Sequence, residues 1–206
     1  MVRTRAAVVA AARDLFLRKG HAGTTMEEIA TVAGIAKRTV YNNYADKDAL
    51  FREIVGDAIA YAETFAHELP GQLASDLDAE DLPAALHDLG ARMAHAILRP
   101  EIVALRRLLI GEARAFPELA RAYFDRAPGR VIDALAAAFG TLADSAVLDV
   151  PDVRRAAEQF AYLVVGAPLD RAMLVGEAPG AAERAACARE GVETFLARYG
   201  RAPGRR

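Results

Sequence analysis

The chain has 206 residues, 53% of them hydrophobic, with no tryptophan and a formal net charge of −2. That composition suits one or two globular domains with a substantial core. No apolar run approaches ~20 residues, which excludes a membrane-spanning helix, and the single cysteine, Cys187, excludes an intrachain disulfide and fits a reducing cytoplasm. Alanine-rich runs such as ALAAAF and GARMAHAIL favour helix. Alternating β-branched segments are scarce, so the chain reads as all-α.

The N-terminus, MVRTRAAVVAAARDLF, is basic and then apolar. Arg13, Asp14, Arg18 and Lys19 interrupt it too early for a secretory signal. It reads as an amphipathic helix from Thr4 to Lys19, with Val8, Ala12, Leu15 and Phe16 on one face and Gly20 and Gly23 at its end. Thr25 with Glu28 three residues on has the form of a capping box and starts a short helix. Ile29, Val32 and Ala33 are its expected apolar side. Gly34 supplies a tight turn, with Ile35 as an apolar plug beside it. A second short helix, KRTVYNNY, turns Val40 and Tyr44 inward and carries Lys37, Arg38, Thr39, Tyr41, Asn42 and Asn43 on its other side. Two short helices, a glycine turn and an outer face of donors make a helix-turn-helix, whose second helix fits the major groove of DNA. Residues 1–50 hold eight Lys/Arg against five Asp/Glu, and the remainder eighteen against twenty-three. The candidate DNA reader is thus the basic end of an acidic chain.

A longer helix starts near Asp46, an acidic N-cap candidate, with the stripe Leu50, Phe51, Ile54, Ala58, Tyr61 and Phe65. Pro70-Gly71 and the stretch from Ser75 to Asp81 read as a loop. The next helix carries Leu86, Leu89, Met93 and Ile97 and is broken by Pro100. Another carries Ile102, Leu105, Leu108 and Leu109, and Pro117 restarts the chain as PELARAYF. Pro128-Gly129 reads as a second break, with Pro128 in the first turn of a helix bearing Val131, Ile132, Leu135, Phe139 and Leu142. Val153 to Leu174 holds Phe160, Leu163, Val164 and Met173, and Pro168 must kink or interrupt it. Ala181 to Tyr199 holds Val192, Phe195, Leu196 and Tyr199. The tail RAPGRR reads as disordered. Nine or ten helices are expected.

The segment from about Arg5 to Ile54 resembles the DNA-binding domain of the TetR family of bacterial transcriptional regulators. The resemblance rests on Thr24-Thr25, Ile29-Ala30, the Ala33-Gly34-Ile35 turn, Thr39 to Tyr41, Tyr44 and the run DKDALF from Asp46 to Phe51. Asn42 and Asn43 stand where many members carry an aromatic residue or histidine. The later stretch LRRLLIGEARAFPELARAYFDRAPGRVIDAL resembles the regulatory domains of AefR-like members. This implies a helix-turn-helix domain at 1–48, a helical ligand-binding and dimerisation domain at 49–200, and a tail at 201–206.

Roles can be assigned on that frame. Thr25 stands at a helix N-terminus whose free N–H groups suit phosphate. By resemblance, Lys47 and Tyr41 contact backbone phosphate, which positions the protein without reading sequence. Arg38 suits guanine O6 and N7, Asn42 suits adenine N6 and N7, and Thr39 can touch a thymine methyl group. Lys37 and Asn43 can serve bases or phosphates. The resemblance further implies a homodimer on a palindromic operator, its interface formed by the last two long helices through Phe160, Val164, Val192, Phe195, Leu196 and Tyr199. The same residues at the same spacing also fit ordinary intrachain core. A small apolar or amphipathic effector is expected in the helical domain, with Phe65, Met93, Ile97, Leu109, Tyr123 and Phe160 as pocket candidates and Arg106, Glu112 and Arg114 as polar anchors. Its binding would shift the population away from the DNA-competent form.

An enzyme is the main alternative. None of the four histidines, His21, His67, His87 and His95, lies in a metal-binding spacing. Neither Ser75 nor Ser145 lies in G-x-S-x-G, and no phosphate-binding P-loop is present. No catalytic residue, metal or cofactor is assigned. A redox sensor built on Cys187 lacks a resolving cysteine, and a purely architectural DNA binder would lack an effector. The reading is a cytoplasmic, ligand-responsive repressor with no membrane association.

Overall fold

A computed structural model describes residues 2–73 and 77–201. The expected loop at Ser75 lies outside the described residues, as does the expected disordered tail beyond Arg201. The elements are α1 (Val2–Lys19), α2 (Met26–Ala33), α3 (Lys37–Asn43), α4 (Lys47–Gln72), α5 (Leu82–Ile97), α6 (Pro100–Glu112), α7 (Pro117–Phe124), α8 (Arg130–Asp144), α9 (Val153–Leu163), α10 (Gly166–Val175) and α11 (Ala181–Tyr199). A π-helical turn, Asp125–Gly129, joins α7 to α8 without interruption. Among the described residues, β structure is confined to a single antiparallel bridge, Leu148 with Gly200. The all-α expectation holds.

The chain forms two compact units. The first comprises residues 1–60 and 104–124, the second residues 61–103 and 125–206. This grouping follows packing, whereas the expected division at 48/49 followed the chain. The first unit has its own core, in which Val8, Ala12, Leu15 and Phe16 of α1, Ile29 of α2, Val40 of α3 and Leu50, Phe51, Ile54 and Val55 of α4 are buried. Leu105, Leu109 and Phe116 join that core from the later segment.

The second unit is built on α5, α8, α9 and α11. Phe139, Phe160 and Phe195 form a ring cluster with centroids 5.0–5.6 Å apart, and Tyr199 lies 4.9 Å from Phe195. Burying each such ring stabilises the fold by roughly 1.5–3 kcal/mol. The Tyr199 hydroxyl donates to Gln159 Oε1 at 2.6 Å, so its polar end is satisfied. Gly191 lets α11 approach the end of α9 closely, since a Cβ there would lie 2.5 Å from the Leu163 carbonyl oxygen.

Several expectations are corrected. Val32 is 52% exposed, because the buried side of α2 is Met26, Ile29 and Ala30. At 100° per residue, position 32 points away from that face. Tyr61 is 47% exposed; the buried stripe of α4 instead runs through Val55, Ile59, Ala66 and Leu69. The Tyr61 ring lies under the Arg99 guanidinium, 5.3 Å away. Helix α4 continues through Pro70-Gly71 to Gln72. Pro70 deletes one backbone bond near the helix end, and the buried Leu69 and Leu73 hold the last turn down. Pro128 does not break the chain either. The wider π turn around it relieves the clash between the proline ring and the preceding carbonyl. The interruption expected at Pro168 falls at Val164–Val165, and Pro168 sits in the first turn of α10, where a missing N–H is tolerated.

Candidate DNA-binding interface

The turn between α2 and α3 is fixed at both ends. Glu28 N–H donates to Thr25 Oγ1 at 3.2 Å, and Thr25 N–H donates back to Glu28 Oε2 at 3.1 Å. This is the capping box expected from the sequence. Lys19 donates to the other Glu28 oxygen at 2.6 Å, tying α1 to the same cap. At the far end Gly34 is left-handed, with φ of 65°. Ile35 N–H bonds Ala30 O at 3.0 Å and Gly34 N–H bonds Thr31 O at 3.2 Å, a Schellman closure. Ile35 then packs on the first unit's core, as expected of a plug.

The inner side of α3 is Val40, fully buried, and Tyr44 follows it at the helix C-cap. Tyr44 donates to Glu53 Oε1 at 3.1 Å, and Arg5 makes a two-pronged pair with the same carboxylate at 3.0 and 2.8 Å. The Arg5 guanidinium holds the Glu53 carboxyl below its ordinary range. Burial raises the Tyr44 phenol, and the Glu53 charge adds to it. Residues from α1, α3 and α4 thus anchor the end of α3.

The outer side carries Lys37, Arg38, Tyr41, Asn42 and Asn43, all exposed, with Thr39 half-buried. Six of the eight residues assigned to DNA therefore lie on one short helix. Asn43 Nδ2 donates to Thr39 O at 2.7 Å, which turns its amide back on its own helix. Lys37 Nζ lies 2.5 Å from Glu27 Oε1. The Tyr41 hydroxyl donates to that same oxygen at 3.2 Å. Spacing along the chain could not reveal Glu27, because it meets Lys37 and Tyr41 across the turn and not along one helix.

Lys47 is placed differently from the other cations. Its ammonium donates to the carbonyls of His21, Ala22 and Thr24 at 2.8, 3.4 and 3.0 Å. Beside it His21 is buried against Phe16, Phe51 and Phe116, with centroids 5.3, 5.3 and 5.0 Å away. Its Nε2 lies 3.1 Å from Asp48 Oδ1, off the line of a hydrogen bond. Burial lowers the imidazole's pKa and the Lys47 charge lowers it further, against opposing pulls from Asp48 and Glu112.

The remaining assigned residues separate by unit. Of the pocket candidates, Met93 and Phe160 are buried in the second unit's core, with Phe65 and Ile97 half-buried against it. Leu109 is buried in the first unit's core and Tyr123 packs against that core, where burial raises its phenol. The six are therefore not one contiguous site within either unit. Phe160, Val164, Val192, Phe195 and Tyr199, assigned to a dimer contact, are buried in this chain's own core. Leu196 packs half-buried against the same core. Their spacing matches an inward face, and the exposed large apolar side chains nearby are Tyr162 on α9 and Leu174 and Val175 on α10. Cys187 is half-buried and its thiol pKa is raised by burial, then by Glu190 and Glu183. That disfavours the reactive thiolate.

A basic helix-turn-helix with an exposed recognition helix defines a DNA-binding protein. Residues 8–54 match the family described as bacterial regulatory proteins, tetR family. Residues 84–201 match the C-terminal domain of AefR-like transcriptional repressors. A stretch of 55 residues is 38% identical to the HTH-type transcriptional repressor BepR of Brucella suis biovar 1, covering 27% of this chain and 26% of that protein. A TetR-family transcriptional regulator from Mesorhizobium loti has a similar structure at TM-score 0.84, with 31% identity over 97% of this chain and 98% of that one. The flavonoid-responsive regulator FrrA is similar at TM-score 0.69 and 29% identity, over 98% of this chain and 100% of that one. SmeT, repressor of the Stenotrophomonas maltophilia multidrug efflux pump SmeDEF, is similar at TM-score 0.66 and 25% identity, over 97% and 91%. The chain belongs to the TetR family of transcriptional regulators and is a DNA-binding transcription factor, not an enzyme. Among the described residues, no helix is long and apolar enough to cross a membrane.

Proposed function

We propose that this protein is a homodimeric repressor that binds a palindromic operator and is released from it by a small apolar or amphipathic effector. The observation that carries the reading is the exposed face of α3, held in place by the Thr25 cap, the Gly34 turn and the Tyr44–Glu53–Arg5 anchor. One such face is small, and two related by a two-fold axis reach half-sites about 34 Å apart. Arg38 and Asn42 read bases, while Thr25, Lys37, Thr39, Tyr41 and Asn43 serve phosphates or base edges. Lys47 acts on phosphate only if it leaves the carbonyls it now holds.

Effector binding is supported by the similarity to FrrA, a flavonoid-responsive regulator, and by the apolar core of the second unit. The pocket proposal rests on Phe65, Met93, Ile97 and Phe160 there. Helix α4 begins among first-unit residues and ends among second-unit residues, so it is the proposed lever. An effector weakens DNA binding only by favouring the form that does not fit the operator. Self-association is assigned to the outward side of α9 and α10, where Tyr162, Leu174 and Val175 are exposed.

Genomic-fragment capture by the purified protein tests the reading. The expected outcome is a recovered inverted repeat beside a promoter, bound by two chains and released by a metabolite of the neighbouring genes. Recovery of fragments with no shared sequence would overturn it.

A further inference from the structure

Glu27 stands in the first turn of α2, facing the start of α3 across the glycine turn. One of its oxygens, Oε1, receives both the Lys37 ammonium at 2.5 Å and the Tyr41 hydroxyl at 3.2 Å. Lys37 and Tyr41 are four residues apart on α3, and the ammonium also lies 5.7 Å from the Tyr41 ring centroid. The carboxylate thus gathers one cation and one phenol onto a single anionic oxygen, the way a phosphate oxygen would. Both partners are side chains assigned above to DNA.

We propose that Glu27 is an intramolecular stand-in for a DNA phosphate, holding Lys37 and Tyr41 occupied in the DNA-free protein and so suppressing binding to DNA of arbitrary sequence. This rests on the reading of α3 as the DNA-facing helix.

Stability does not account for the arrangement. The Lys37 and Glu27 side chains are 59% and 52% exposed, and ion pairs so exposed contribute little to folding. Against DNA the same carboxylate matters more. Non-specific binding is dominated by cation–phosphate contacts. A cation already neutralised contributes to them only after its internal partner is exchanged. Base contacts on an operator offset that exchange, and random DNA offers none. The pair therefore weakens binding to random DNA, where cation–phosphate contacts supply nearly all of the affinity. Its electrostatics agree with its geometry: Lys37 holds the Glu27 carboxyl low, and Glu27 holds the Lys37 ammonium high.

The test uses the full-length protein and a random-sequence 30-base-pair duplex, followed by fluorescence anisotropy from about 50 to 200 mM salt. Glu27→Gln is near-isosteric and removes only the charge. It is expected to bind this duplex about fivefold more tightly, with a log–log salt slope steeper by about 0.9. In a Lys37→Gln background the gain from Glu27→Gln should largely vanish, which separates release of Lys37 from a general change in charge. Glu27→Ala should behave like Glu27→Gln, and circular dichroism checks that both stay folded. Unchanged affinity and slope in Glu27→Gln would overturn the proposal, as would an equal gain with and without Lys37. If neither wild type nor Glu27→Gln binds the duplex even at the lowest salt, the DNA-facing assignment of α3 is overturned and this inference with it.

Discussion

Lys47 and His21 show how a residue's neighbours decide what it does. Resemblance assigns Lys47 to phosphate, but its ammonium is already shared among three backbone carbonyls after α1. Hydrogen bonds from a charged donor contribute more than neutral ones. Lys47→Met is therefore expected to destabilise the fold by about 1–2 kcal/mol, read as a lowered midpoint in thermal or urea melts. Asn42→Ala should leave the melt unchanged. His21 gives a pH prediction. Burial and the Lys47 charge hold its folded pKa below the unfolded value of about 6.5. The unfolded chain then binds the proton first, so this contribution to stability is complete above that value and is lost as pH falls towards the folded pKa. Wild type should lose stability between pH 7 and pH 5. His21→Phe keeps the aromatic contacts to Phe16, Phe51 and Phe116 and should lose less over the same interval. Equal losses, measured by urea titration at each pH, would assign the dependence to other groups.

At the scale of the element, caps and close approaches carry the largest single effects. Thr25→Ala removes the hydroxyl that accepts from Glu28 N–H and is expected to cost about 1 kcal/mol in a denaturant melt. Gly191→Ala would place a methyl group 2.5 Å from the Leu163 carbonyl oxygen, which is backbone and cannot rotate away. A loss of about 1–3 kcal/mol is expected there, with little effect from alanine at Gly111, where space is open. Local rules located most helices because their signals are local: the capping box at Thr25, the Asp46 cap, and prolines at Pro100 and Pro117 that open α6 and α7. They misjudged Pro70 and Pro128. A proline's effect depends on whether neighbouring turns are held by burial, and the burial of Leu69, Leu73, Ala127 and Val131 is not set by the residues beside each proline.

At the scale of the whole molecule, the proposal is two copies of a 22.1 kDa chain on one operator. Sedimentation should give a mass of twice the chain at micromolar concentration. Tyr162→Glu combined with Leu174→Glu, placing charge on exposed apolar positions, should return monomers that keep their helical spectrum. A dimer unaffected by that pair would move the interface elsewhere. Arg38→Ala should weaken operator binding by about 1–3 kcal/mol and relax specificity at one position. The corresponding loss on random DNA should be smaller.

What the sequence determined by itself is the all-α class, the helix-turn-helix and the outward face of α3. Each follows from residues within one or two turns of one another, where spacing alone says which side chains share a face. Tertiary structure alone decided the rest. It placed residues 104–124 with the N-terminal helices and turned Phe160, Val192 and Phe195 into the chain's own core. It also turned Lys47 onto the backbone and set Glu27 against Lys37 and Tyr41. Those relations join residues distant in sequence or carried by different helices. Hydrophobic periodicity records that a face is buried, and it carries no information about which surface covers it.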